Sequence, residues 1–395
     1  MSRFYSYLNT AATIIRQYNG AEPFASMVKK FFSSHKKYGS KDRKHISHLC
    51  YCYFRTGKIF FEDKVNTLET NIITALFLCT TEHNEILSAI APELVAFTAL
   101  PVDEKIALLQ ERVLISAGDP YELIFPWKSF LSEGMAFAHF AGSFFVQPDL
   151  FIRIRPGYKE KVIQQLNTSG IAYYTLGNDG IGLPNHTKAD EMFDVNKAVV
   201  VQDYSSQQVG ELLYPLQQQH LKVWDCCAAS GGKSILAKDY LSDITLTVSD
   251  IRASILANLQ ARFKSAGVHR YKSFIADLTK PAIPADPTGY DLVICDAPCS
   301  GSGTWARTPE QLYYWQEERL DHYTALQKKI TTAVVPFIKS GGHLLYITCS
   351  VFKNENEEIV NRILQQFDIE LLEMKLISGY DIKADTMFAA LLKKR

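Results

Sequence analysis

The chain has 395 residues, of which 47% are hydrophobic, enough for two or three domains with real cores and too apolar for a disordered chain. Its formal net charge is zero and its pI about 7.1, so overall charge carries no signal for nucleic acid. The start MSRFYSYLNT has no signal-peptide pattern, eight Cys suit the reduced thiols of a cytoplasmic protein, and apolar runs such as Ile72–Cys79 are too short to span a bilayer, so no membrane partner is expected.

Charge is segregated along the chain. Residues 1–60 hold eleven Lys and Arg against two acids, whereas residues 61–120 hold three against ten. The first segment suits a face that meets phosphate, the second a solvated acidic stretch. Within residues 1–140, Leu8-Ala11-Ala12-Ile15 and Phe24-Met27-Val28-Phe31-Phe32 recur at helical spacing, and HISHLCYC, Ile72-Ala75-Leu76 and Ile86-Ile90 continue the pattern, which predicts an all-α domain. Its most charged connector, SSHKKYGSKDRK (Ser33–Lys44), reads as an RNA-contacting loop or as a solvated helix junction. His45, His48, Cys50 and Cys52 match no usual zinc spacing, and no metal is expected there.

The texture changes near residue 147. PDLFIRIRP predicts a strand, KEKVIQQL a helix and Ile171–Leu176 a second strand, so residues 147–200 form a small α/β module of strand–helix–strand type. Arg153 and Arg155 alternate onto one side of their strand, to hold phosphate or to pair with acids.

Residues 201–395 alternate strand and helix, the mark of a doubly wound parallel sheet. Leu221–Trp224 is the first strand, and DCCAASGGK (Asp225–Lys233) is a glycine-bearing turn ahead of a helix. The turn is neither G-x-G-x-x-G nor a phosphate loop, and it suits an adenosine compound. Its residues Cys227, Ala228, Ala229, Ser230, Gly231, Gly232 and Lys233 are candidate cofactor contacts. So are Asp250, Asp277 and Asp296, each expected at the end of a strand (Thr245–Ser249, Ile275–Asp277, Leu292–Cys295). Asp250 suits ribose hydroxyls and Asp277 an adenine amino group.

The stretch YDLVICDAPCSGSGTWARTP (Tyr290–Pro309) organises the rest. Its apolar run stops at Asp296, and Pro298 ends the ladder, placing Asp296 and Cys299 on a loop at the carboxyl edge of the sheet. A further strand, Leu344–Ile347, ends in Thr348-Cys349-Ser350, so Cys349 faces the same crevice. Cys226, Cys227 and Cys295 read as structural thiols. Cys299 and Cys349 read as chemistry.

CCAASGGKS, DAPCSGSGTWARTP, TCSVFKNENE and VQDYSSQQVGEL resemble, in order and spacing, the signatures of the RsmB/Nop/Sun family of RNA cytosine-5 methyltransferases over residues 148–395. KYGSKDRKHISHLCY is similar to the NusB-like RNA-binding domain of bacterial members. The resemblance implies a class I methyltransferase Rossmann-like α/β sheet (201–395), preceded by a small ferredoxin/RRM-like α/β module (147–200) and an all-α NusB-like domain (1–140). It implies S-adenosylmethionine as cofactor, and RNA as partner, ribosomal first and transfer RNA second. It makes Cys349 the nucleophile at cytosine carbon 6, Asp296 the support at N3, Cys299 the group assisting release and Lys233 an aid to positioning. DNA cytosine methyltransferases use a Pro-Cys thiol, which here is Cys299, so the two thiols stand as alternatives for attack. Trp305 stacks beside the base or packs in a core. Ser230 stands where the family usually has Pro, and a single Arg307 where it often has two Arg. A monomer in the cytoplasm is expected. The reading from another class is a catalytically idle RNA-binding factor of ribosome assembly.

Overall fold

Among the residues described by the computed structural model (3–61, 66–217 and 220–395), the apolar repeats of the N-terminal third form helices at Arg3–Gln17, Phe24–Ser34, Ser40–Arg55 and Leu68–Leu78. Three helix starts are chemically marked. Thr67 accepts from the backbone N–H of Thr70, Asn84 accepts from Ile86 and Leu87 at the following helix, and the Asp42 carboxylate takes the Gly39 N–H at 2.9 Å. Leu8, Ala11, Ala12 and Ile15 are buried, as their spacing predicts. These helices belong to a first compact unit of residues 1–129, 136–147 and 305–316, whose described residues contain no strand. Its core is aromatic. Phe24, Phe54, Phe125, Phe140 and Phe144 are fully buried. Trp305 (1% exposed) lies against Phe125, Trp127 and Trp315 at ring distances of 5.9, 5.6 and 5.2 Å. Trp305 is therefore core packing. Lys36, Lys37, Lys41, Arg43 and Lys44 are exposed around the turn at Gly39.

The second unit comprises residues 130–135, 148–304 and 317–395 and holds two sheets. The smaller is built from β1 (Leu150–Ile154), β2 (Tyr174–Leu176), β3 (Gly180–Leu183) and β4 (Val199–Val201), in the order β2-β3-β1-β4 with every pairing antiparallel. With the helices Lys159–Ser169 and Ala189–Met192 this is the β-α-β-β-α-β arrangement of ferredoxin-like modules. The sequence predicts only two of the strands. β3 escapes because Gly180 and Gly182 remove the side chains that mark a strand; a Cβ on Gly182 would lie 2.2 Å from the Tyr174 ring. β4 escapes because it is three residues long. Ile152, Ile154, Val162, Leu166, Ile181 and Leu183 fill the module's core.

Arg153 and Arg155 turn to the other side and meet one acid. Asp239 pairs with Arg153 at 2.8 Å and Arg155 at 2.7 Å, with side chains 5%, 3% and 12% exposed respectively. Arg155 also donates to the carbonyls of Asn196 and Ala266, and Arg153 to Gln202. Both arginines pair with this acid, and Arg153 Nη2 alone of their buried nitrogens meets no acceptor among the described residues, which decides between the two roles open to them in favour of an acid partner.

The larger sheet contains β5 (Leu221–Asp225), β6 (Ile244–Asp250), β7 (Tyr271–Ile275), β8 (Tyr290–Asp296), β9 (Ile338–Thr348), β10 (Ile369–Ile377) and β11 (Met387–Lys394), in the order β10-β11-β9-β8-β5-β6-β7. β5 to β9 pair in parallel, and β10 and β11 add an antiparallel edge. Burial on both faces explains the unbroken apolar runs. Val223, Leu292, Ile294 and Leu345 enter one core, and Trp224, Val293, Cys295 and Tyr346 the other. Trp224 buries its indole without loss because Nε1 donates to Ser249 Oγ at 3.0 Å. β7 stops at Ile275, short of the expected Asp277, whose carboxylate closes its own turn by accepting from Thr279. Neither β10 nor β11 has a counterpart in the sequence reading; in β10 the register shifts between Leu371 and Glu373, which breaks the period of two. No helix of the described residues is long and apolar enough to cross a membrane.

Removing the Asp239 carboxylate leaves two desolvated guanidinium groups without a counter-ion. Asp239→Ala is expected to destabilise the chain by about 3–5 kcal/mol in a urea melt, and an unchanged midpoint would contradict this account.

Candidate active site

The chain leaves β5 toward β6 and β7 on one side and returns to place β8 and β9 on the other, so the crevice opens beyond the carboxyl ends of β5 and β8. The glycine turn forms one wall. Ala229 (φ 45°) and Gly231 (φ 83°) both adopt left-handed backbone, and the helix Gly232–Leu241 starts directly after them. A Cβ on Gly231 would lie 2.5 Å from the Phe263 ring, so only glycine fits. The Ala229 N–H donates to Asp250 Oδ2 at 3.0 Å, and Asp250 Oδ1 accepts from Arg252, which ties the turn to the end of β6.

A cleft of about 400 Å³ lies here, inside the ~300–1,000 Å³ range of ordinary ligand sites. Of the residues predicted from the sequence, Cys227, Ala229, Asp250, Asp277 and Asp296 line it, with Leu278, Pro298, Leu326 and Ile330 supplying an apolar surface. Ala228, Gly231 and Gly232 shape the turn without lining the cleft. Ser230 faces away and accepts from Arg262 at 3.0 Å. Asp277 Oδ1 accepts from Thr279, leaving Oδ2 for an incoming donor. An apolar slot between carboxylates suits a flat base and a ribose diol, so the residues present fit an adenosine compound.

Lys233 joins this cleft to the cysteine loops. Its Nζ lies 3.2 Å from Asp296 Oδ2 and donates to Ser206 Oγ at 2.7 Å. Beyond Asp296, Cys299 Sγ and Cys349 Sγ are 3.3 Å apart, and both are half-buried, free thiols. The hydrogen bond with Cys349, followed by burial, raises the Cys299 pKa well above its ordinary value, so Cys299 keeps its proton at neutral pH.

The sequence reading missed what holds the two thiols together. Glu355 is fully buried. Its carboxylate accepts from the Ser300 N–H at 2.7 Å, from the hydroxyls of Ser300 and Ser350, and from Gln327 Nε2 at 3.4 Å. Gln327 also donates to the Pro298 carbonyl at 3.0 Å. Asn356 bonds Thr348, the Ser350 carbonyl and Ser132. Gly303 passes so close that a Cβ there would lie 1.9 Å from the Thr386 carbonyl, while its N–H donates to Cys349 O at 2.9 Å. One signal was present: a Ser follows each of the two cysteines, and both bond the same acid.

Asp225, at the end of β5, is also fully buried, and burial lifts its pKa to about 7 although Ser234 donates to it. The folded chain therefore holds a proton between about pH 3.8 and 7 that the unfolded chain releases, so this group's contribution to stability falls as pH rises through that window. Asp225→Asn, which mimics the protonated form, is expected to remove that falling limb, worth up to about 4 kcal/mol, from a pH series of urea melts. A series that stays parallel to the wild type would refute the assignment.

Residues 211–392 match the family described as 16S rRNA methyltransferase RsmB/F. Ribosomal RNA small subunit methyltransferase B of Xylella fastidiosa is 35% identical over 212 residues, 53% of this chain and 49% of that protein. The probable ribosomal RNA small subunit methyltransferase B of Bacillus subtilis is 28% identical over 214 residues, 53% of this chain and 47% of that protein. The chain thus spans about half the length of these curated relatives. The crystal structure of PH0851 superposes over 98% of both chains with a TM-score of 0.70 at 20% identity, and NSun6 from Pyrococcus horikoshii with SFG over 69% of this chain and 96% of that one, with a TM-score of 0.56 at 15% identity; these likenesses concern the fold. The segment similar to the 16S rRNA methyltransferase RsmB/F family, residues 211–392, carries the glycine turn, Asp250, Asp277, Asp296 and both loop cysteines.

Proposed function

We propose that the chain methylates carbon 5 of a cytosine in RNA, ribosomal RNA foremost, with S-adenosylmethionine as methyl donor and a covalent bond between Cys349 and carbon 6 of the ring. The observation that carries this reading is the pair of thiols 3.3 Å apart, on the loops that end two neighbouring parallel strands, next to Asp296 and the cleft. The cleft would hold the cofactor, with Asp250 receiving the ribose hydroxyls, Asp277 the adenine amino group, and Ala229 and the apolar wall flanking it. When bound, that group supplies an electrophilic methyl on a sulfonium.

Carbon 5 of cytosine is a poor nucleophile until the ring is activated. Addition of the Cys349 sulfur to carbon 6 breaks the 5,6 double bond and makes carbon 5 enamine-like. Asp296 would meet N3 through a shared proton, which neutralises the negative charge that develops there, and Lys233 holds Asp296 in place. Once carbon 5 carries the methyl group, transfer of its remaining proton to a water molecule acting as base re-forms the double bond and expels the Cys349 thiolate. Cys299, which keeps its proton and touches Cys349, assists that release. The base must be unpaired or flipped to reach this loop. The exposed lysines and Arg43 around Gly39 support an RNA-contacting role for residues 1–140, with residues 147–200 as an accessory module and 201–395 as the catalytic domain.

Bisulfite sequencing of ribosomal and transfer RNA, from cells with and without the gene, tests the chemistry. A single cytosine is expected to lose protection on deletion and to remain unprotected with Cys349→Ala, whereas Cys299→Ala accumulates a covalent protein–RNA adduct. No changed cytosine in any RNA would reject the reading and favour an idle assembly factor. Asp277→Ala is expected to weaken binding of S-adenosylhomocysteine about tenfold by calorimetry, the effect of one lost hydrogen bond. Equal affinity would remove Asp277 from the cofactor site.

A further inference from the structure

The proposed methyl transfer uses two cysteines and leaves three others side by side. The Sγ atoms of Cys226, Cys227 and Cys295 all lie within 4.8 Å of one another. Cys226 directly follows β5, Cys295 is the penultimate residue of the neighbouring strand β8, and the Cys226 N–H donates to the Ile294 carbonyl, which locks the two backbones in register. Cys226 and Cys295 are buried and Cys227 is half-buried, yet Cys226 and Cys227 both line the cleft, so the cluster can be reached from it.

We infer that Cys226, Cys227 and Cys295 form a trithiolate site for a soft divalent cation of the zinc class, at the floor of the cleft, and that an ion bound there and the cofactor exclude each other. The spacing supports ligation. Zinc–sulfur bonds of about 2.3 Å place ligand sulfurs about 3.8–4.0 Å apart, a contraction that small side-chain rotations supply. The donor set is soft and excludes calcium or magnesium. Three protein ligands leave a fourth position, which here opens toward the cleft. On binding, each thiol gives its proton to solvent and three metal–sulfur bonds form; no electron is transferred. The ligation is independent of the proposed methyl transfer, and only the mutual exclusion rests on the cofactor reading.

The test uses the full chain, stripped of metal, titrated with Cd²⁺ while thiolate-to-cadmium absorption is recorded, and with Zn²⁺ against a chromophoric chelator. One ion per chain is expected. Cys227→Ser, a near-isosteric change at the half-buried ligand, should weaken binding at least tenfold, and Cys295→Ala should do the same. The Cys299→Ser/Cys349→Ser double variant should bind as the wild type does. Unchanged affinity in both Cys227→Ser and Cys295→Ala, or loss of the ion in the double variant, would overturn the site. S-adenosylhomocysteine is expected to displace the ion; if it binds and the ion stays, the mutual exclusion falls. If it does not bind even to the metal-free chain, the cofactor reading fails while the ligation stands.

Discussion

A buried carboxylate is stable only when its oxygens are met by donors, and Glu355 is the group on which the arrangement of the site depends. Its donors come from both cysteine loops: the backbone and hydroxyl of Ser300 on one, the hydroxyl of Ser350 on the other. Satisfying this one acid therefore brings together two loops separated by fifty residues and fixes their distance. The thiols 3.3 Å apart are a consequence. Gln327 reaches the same carboxylate from the helix Glu318–Val334 and also holds the Pro298 carbonyl, so the loop after β8 is restrained from two sides.

The sheet supplies the rest of the frame. Parallel strands in register bring their carboxyl ends to one edge, and reversal of the winding direction between β5 and β8 opens a crevice there. Asp250 and Asp277 stand on the β6 and β7 side, the cysteines on the β8 and β9 side, and Asp296 belongs to both. Lys233 extends from the glycine turn to Asp296, so the turn that shapes the cleft also orients the acid beside the thiols. The same stretch of chain has two tasks: after Gly303 it continues into Trp305, which completes an aromatic core in the helical unit. A tryptophan following a catalytic-looking motif reads equally as a base-stacking group or as core packing until its burial is known.

The sequence by itself determined the elements whose cause is local. Apolar runs bounded by acids mark the parallel strands, helical spacing marks the N-terminal helices, and glycine at the turn before Lys233 marks a backbone that side chains cannot follow. The candidate residues Asp250, Asp277, Asp296, Cys299 and Cys349 were legible because each closes or follows such a strand. Only the tertiary structure decided matters that depend on a distant partner. Arg153 and Arg155 meet Asp239, eighty-six and eighty-four residues further on. Ser230 faces Arg262 rather than the cleft. The strands β3, β4 and β10 lack a local pattern because glycine, shortness or a bulge erases it, and neighbouring strands impose their conformation. Glu355 was hidden for the same reason: a glutamate ahead of a helix looks like a cap, and its burial between two serines exists only once β8 and β9 lie side by side.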